Sequence, residues 1–168
     1  MNVISWPEGF IPGFCDNFAS NEMIVAGLCV ADIWPLLNTP SLWPTYYENA
    51  ADIRFYDGKG PELAQDVRFY FTTFGFPVDA QVTEHVAPSA DEPARLAWHG
   101  WSGEGETRLD VHHAWLLEDM GGRVRILTQE TQNGNPAKEL AKTTPDPMIN
   151  GHQAWLKGLV AAARARRA

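Results

Sequence analysis

Cysteine is scarce in this chain, with two residues, Cys15 and Cys29, among 168. Their separation matches no zinc or dithiol spacing, which excludes a cysteine-held metal and a disulfide framework as organising features. Residues 1–11 have neither the basic start nor the apolar run of a signal peptide, so the expectation is a cytoplasmic protein with two free, buried thiols rather than a bridged pair. Long apolar runs are also missing. No stretch approaches the roughly twenty residues that span a bilayer, which argues against a membrane protein. Positive charge is in deficit, with 13 Lys and Arg against 21 Asp and Glu and a net charge of -8. A nucleic-acid binder would show a basic face, and none is present. The one basic cluster, Arg164, Arg166 and Arg167, is explained by the negative end of a helix dipole. Phosphate loops, nucleotide fingerprints, zinc spacings and nucleophile elbows are absent too, so no cofactor and no metal is expected. Aromatic area, in contrast, is plentiful, with seven tryptophans to furnish a core or a cavity.

The clearest single element is the C-terminal stretch 148–167. Met148, Trp155, Leu156, Leu159 and Val160 recur at the period of one helix face, and His152 falls on that face. Pro145 and Pro147 stand before its start, where proline is tolerated. Residues 1–17 have no period and read as an irregular leader, pinned to the body by Phe10 and Phe14; residues 18–168 read as one domain. A first strand is expected from Phe18 towards Val30. Asp32 then resembles the N-cap of a short helix through Leu37, with Pro35 in its first turn, and Ser41 that of a second over 42–47.

From Ala51 the period changes to two. Strands are expected at 51–56, 66–74, 78–86, 95–101, 108–117 and 123–132. Gly75-Phe76-Pro77 is expected to break the second of these from the third, and Gly121-Gly122 to turn the last hairpin. A short helix at 137–142 precedes the long one. Segregated strands and helices define an α+β architecture, a curved antiparallel sheet with a long helix to fill it.

Four stretches carry a family resemblance in their order and spacing. They are Ile33-Trp34-Pro35-Leu36-Leu37 with Leu42-Trp43-Pro44; Phe74-Gly75-Phe76 with Val82-Thr83-Glu84; Arg95-Leu96-Ala97-Trp98-His99-Gly100; and His152-Gln153-Ala154-Trp155-Leu156. Over residues 18–166 the chain resembles the START/pollen-allergen-like (SRPBCC) superfamily, and in particular its bacterial polyketide cyclase/dehydratase-like branch. One departure is Asp66, where this branch often has glycine. The resemblance implies a helix-grip fold: a curved seven-stranded antiparallel sheet wrapped around the C-terminal helix, with two short helices between strands 1 and 2. It also implies a deep, mainly apolar cavity between sheet and helix for a small hydrophobic molecule. Relatives include carriers, receptors, cyclases, dioxygenase subunits and co-chaperones, so activity must be argued from the site.

Strand alternation nominates the residues facing such a cavity: Phe69 and Phe71, then Val82 and Glu84 beside Val78 and Ala80, then Trp98 beside Leu96. A tight turn at Gly121-Gly122 sets Leu117 opposite Ile126, Trp115 opposite Thr128 and His113 opposite Glu130, each pair sharing a face. His113 and Glu130 are therefore the candidate general acid–base pair, or else a satisfied polar pair. Glu84 reads either as a buried acid or as a carboxylate reaching solvent at a strand end. His152 reads either as a core histidine bonded to a backbone carbonyl or as a polar anchor for a ligand, next to Trp155. The neighbouring His112 points to the opposite face from His113, and alternation sends His85 and His99 outward as well. Outward His99 and Trp101 mark either a homodimer surface or the bed of the leader. Two functions remain in view: binding of a lipid-, aromatic- or polyketide-like ligand, and acid–base catalysis of the cyclase/dehydratase kind.

Overall fold

The computed structural model describes residues 2–167. The chain runs as β1 (Asn17–Ala26), α1 (Val30–Leu37), a 3-10 helix (Pro40–Thr45), β2 (Ala50–Phe55), β3 (Arg68–Thr73), β4 (Phe76–Val86), β5 (Ala94–Ser102), β6 (Leu109–Asp119), β7 (Arg123–Asn133), α2 (Asn135–Leu140) and α3 (Pro147–Arg167). The seven strands form one sheet in the order β1-β7-β6-β5-β4-β3-β2, every neighbouring pair antiparallel. The chain therefore meanders from β2 to β7 and brings β1 in beside the last strand. One face of this sheet packs on α1, the 3-10 helix and α3, and the main core lies between them. No helix among the described residues is long and apolar enough to cross a membrane.

The β6–β7 register is the one that Gly121-Gly122 predicts. Both glycines have positive φ, and Leu117 pairs with Ile126, Trp115 with Thr128 and His113 with Glu130. Positive φ at both central residues is the type I′ requirement that glycine meets without strain. The β3–β4 connection differs from expectation. Gly75-Phe76-Pro77 does not separate the strands, because Phe74 and Gly75 alone make the turn and Phe76 already pairs with Thr73. Asp66 adopts a left-handed backbone, φ 63; aspartate is among the few residues that do so readily.

Helix starts also differ in detail. α1 begins two residues before Asp32, which is not the N-cap but sits in the first turn, where its carboxylate accepts the Cys29 backbone N–H at 2.8 Å. The second short helix starts at Pro40 rather than after Ser41 and is 3-10 in form. Cys15 and Cys29 are both free, as expected, but half-buried rather than buried.

The leader crosses the outer face of the sheet. Ile4 is buried there against Ala97, Ala114, Leu116 and Leu127, with Trp6 beside it. Trp6 and Phe10 cover His112, with ring centroids at 5.5 and 5.9 Å, and Phe10 also lies on His99 at 5.5 Å. His112 is thereby buried away from His113, and burial pushes its pKa down to about 4. Phe14 plays no part in the anchoring: it is 88% exposed, and Ile4 and Trp6 take the role assigned to it.

Helix α3 lies unevenly on the sheet. Near its C-terminal end Leu156, Leu159, Val160 and Ala163 are sealed into the core. At Gly158 the helix passes so close to the 3-10 helix that a Cβ would stand 1.9 Å from the Tyr46 carbonyl oxygen. Towards its N-terminal end Pro147, Met148, His152 and Trp155 line a cavity.

Candidate functional site

The cavity has a volume of about 440 Å³. Its walls are mainly apolar: Phe71 from β3, Val78 from β4, Trp98 from β5, Val111 from β6, and Met148 and Trp155 from α3. Phe74 of the β3–β4 turn, Phe76 at the start of β4 and Leu140 of α2 also line the cavity, the two phenylalanines partly exposed. The Phe74 ring rests on the helix at Gly151, where a side-chain Cβ would come within 2.3 Å of it. A space of this size and composition suits a small organic molecule.

Polar groups gather on one wall. His113 and Glu130 face each other across β6 and β7, with His113 Nδ1 3.0 Å from Glu130 Oε2. His152 reaches down from α3 and sets its Nε2 3.4 Å from the same oxygen. All three residues are buried. Their remaining valences are mostly taken. His113 Nε2 is 2.8 Å from Thr128 Oγ1, and Gln132 Nε2 donates to Glu130 Oε1 at 2.5 Å. His152 Nδ1 is the exception: it is buried and has no partner. Aromatic rings fix the cluster in place. Trp115 stacks on His113 at 5.4 Å, Trp98 lies 4.7 Å from it, and Trp155 meets it edge-on at 5.6 Å.

The charge state follows from this packing. Burial alone would push the Glu130 carboxyl up, but the two imidazoles against it outweigh that and hold it below the ordinary carboxylate range. Burial dominates at His113 and pushes its pKa down, the charge of Glu130 only partly opposing it. Tyr47, stacked on Trp155 at 4.5 Å, is driven up to about 12 by burial, so its phenol stays protonated.

Of the residues nominated in the sequence, Phe71, Trp98, His113, Glu130, His152 and Trp155 line the cavity. Phe69, Val82, Trp115 and Thr128 are buried in the packing outside its wall, and Thr128 reaches the site through His113. Glu84 is a correction. A bulge lies between Val82, paired with Trp98, and Glu84, paired with Ala97, so Thr83 is an extra residue and the alternation inverts beyond it. Glu84 therefore emerges on the outer face, 3.9 Å from Arg95, and His85 turns inward to Asn38 and Trp34. His99 does face outward, bonded to Asp110 at 2.8 Å. The neighbour that sequence reasoning passed over is Gln132. Its signal was available, since it lies two residues after Glu130 and so on the same strand face. Val111, two residues before His113, is the same case.

Sheet, gripped helix and cavity together define a helix-grip protein. The Helicobacter pylori protein jhp0584, a hypothetical protein, is 50% identical to this chain over 98% of both chains, with a TM-score of 0.94. The chain belongs to the same family as that protein. More distant structures share the fold. The di-domain ARO/CYC protein StfQ from the steffimycin biosynthetic pathway is 12% identical, with a TM-score of 0.61 over 90% of this chain and 53% of its own. Ara h 8.0201 is 15% identical, with a TM-score of 0.53 over 89% of this chain and 97% of its own. No protein-family model and no curated protein matches the sequence.

Proposed function

We propose that the protein binds a small, largely apolar molecule in the cavity between the sheet and α3, with one polar group of that molecule directed at His152. The observation that carries this reading is a cavity with mainly apolar walls and one polar wall, where His152 Nδ1 is buried with no partner among the described residues. A buried polar atom left unsatisfied costs free energy, and a ligand hydroxyl donating to that nitrogen recovers it. Flat rings on the wall, Trp98 and Trp155 among them, suit an aromatic or polyketide-like ligand. The shared fold of StfQ, from a biosynthetic pathway, is consistent with such chemistry.

Turnover is a second reading, favoured by the convergence of titratable groups within hydrogen-bond reach. In this arrangement both His113 nitrogens are engaged, so the group free to exchange a proton with a bound carbonyl compound is His152. Glu130 then acts as a positioning residue for it, itself held by Gln132.

Native mass spectrometry of protein purified from its own host tests the binding reading. The expected result is a small-molecule adduct that disappears in Val111→Trp, where the new ring occupies the cavity. Absence of any adduct, together with failure of the native protein to bind an apolar fluorophore such as 1-anilinonaphthalene-8-sulfonate in competition with planar aromatic compounds, would overturn it.

A further inference from the structure

We propose that His113 Nδ1, Glu130 Oε2 and His152 Nε2 form a binding site for one divalent transition-metal ion at the polar wall of the cavity. His113, Glu130 and His152 each offer one ligand atom, and these three atoms lie within 4.8 Å of one another. Two of the three separations are 3.0 and 3.4 Å. For bonds of about 2.0–2.1 Å, neighbouring ligand atoms on one ion stand roughly 2.9 Å apart in an octahedral shell and roughly 3.3 Å in a tetrahedral one. The observed pair matches those edges. The 3.4 Å contact is, in contrast, longer than an ordinary N–H···O hydrogen bond.

Outer contacts support the assignment at His113 and Glu130, while the second ring nitrogen of His152 has no partner among the described residues. A metal-ligating histidine generally directs its other ring nitrogen to an oxygen, which fixes its tautomer and orientation. His113 does so through Nε2 to Thr128 Oγ1, and the second oxygen of Glu130 is held by Gln132. The ligands come from β6, β7 and α3, regular elements that fix their positions, and the site is buried. Two imidazoles and one carboxylate with no thiolate select an ion of the Zn(II) or Fe(II) type over Mg(II) or Ca(II), which prefer oxygen ligands. Three protein ligands leave coordination positions open on the cavity side, the mark of a site that also takes a substrate or water. The inference rests on the binding reading in one respect only: an oxygen of the cavity's ligand would complete the shell.

The test is titration of chelator-treated, folded protein with Zn(II), with Co(II) and, anaerobically, with Fe(II). Calorimetry gives the stoichiometry, and Co(II) adds a visible ligand-field spectrum. The expected result is one ion per chain, with affinity reduced by more than about 100-fold in Glu130→Gln and His152→Asn, and by roughly 10–100-fold in Thr128→Val. His112→Asn, on the opposite face, should bind as the native protein does. Circular dichroism confirms that each variant is folded. If the folded native protein holds none of the three ions stoichiometrically, or if Glu130→Gln and His152→Asn bind as tightly as the native protein, the site is refuted. Apolar fluorophore binding, measured on the same metal-free samples, separates the two proposals: its persistence with no metal bound leaves the cavity reading standing alone, and its loss with metal bound does the reverse.

Discussion

Replacing Gly158 by alanine sets two effects against each other within a single helix. Alanine is the better helix former by about 1 kcal/mol in a helix interior, so α3 considered alone becomes more stable. The added Cβ, however, would stand 1.9 Å from the Tyr46 carbonyl oxygen, about 1.5 Å short of an ordinary contact at 3.4 Å. That oxygen belongs to backbone and cannot rotate away. Its segment is tied down by the Tyr47 N–H bonded to the Trp43 carbonyl and by the Tyr46 hydroxyl donating to the Leu36 carbonyl. Helix α3 must therefore retreat, loosening the Tyr47–Trp155 stack and the Leu159 packing. Overpacking of this kind costs about 1–3 kcal/mol, and a clash with fixed backbone belongs at the upper end. The net effect is a destabilisation of about 2 kcal/mol, which at roughly 2–4 °C per kcal/mol for a chain of this length lowers Tm by about 4–8 °C. Thermal melts followed by circular dichroism, with urea midpoints at unchanged m-value, measure it. A Tm equal to or above that of the native protein would refute the close approach, since helix propensity alone would then have decided the outcome.

Two further outcomes follow from the outer face of the sheet. Glu84→Ala should leave apolar-probe binding unchanged and alter stability by no more than about 1 kcal/mol, because the partly exposed contact with Arg95 contributes little; a large loss of probe affinity in fluorescence titration would put Glu84 back in the cavity. Asp110 is bonded to both Arg108 nitrogens at 2.8 and 2.9 Å, and that pairing holds its pKa below the ordinary 3.8. A depressed carboxyl stabilises the fold above its ordinary pKa, and this contribution is lost as pH falls through the lowered value. Asp110→Asn should therefore be less stable than native by about 0.5–1 kcal/mol near neutrality, with the gap closing below about pH 4 in urea titrations. A gap that stays constant into that range would show that the pair contributes nothing.

The sequence by itself determined the order of elements, the burial of one face of α3 and the register of the last hairpin. These are local properties: a period of 3.6 or 2 reads directly as a buried face, and a two-glycine turn sets which residues oppose each other. His113 and Glu130 could be paired on that basis before any coordinates. Tertiary structure alone decided the rest. The bulge at Thr83 carries no residue signature, yet one extra residue exchanged Glu84 for His85 on the inner face. His152 meets Glu130 only through the packing of α3 on the rest of the fold, which includes the close approach of Gly158 to a carbonyl 112 positions earlier in the chain. The same packing seals Leu156, Leu159 and Val160 into the core and leaves the cavity beside the N-terminal half of the helix. It turns a histidine that the sequence could place on a face, but not in a site, into the third member of a buried cluster at the wall of the cavity.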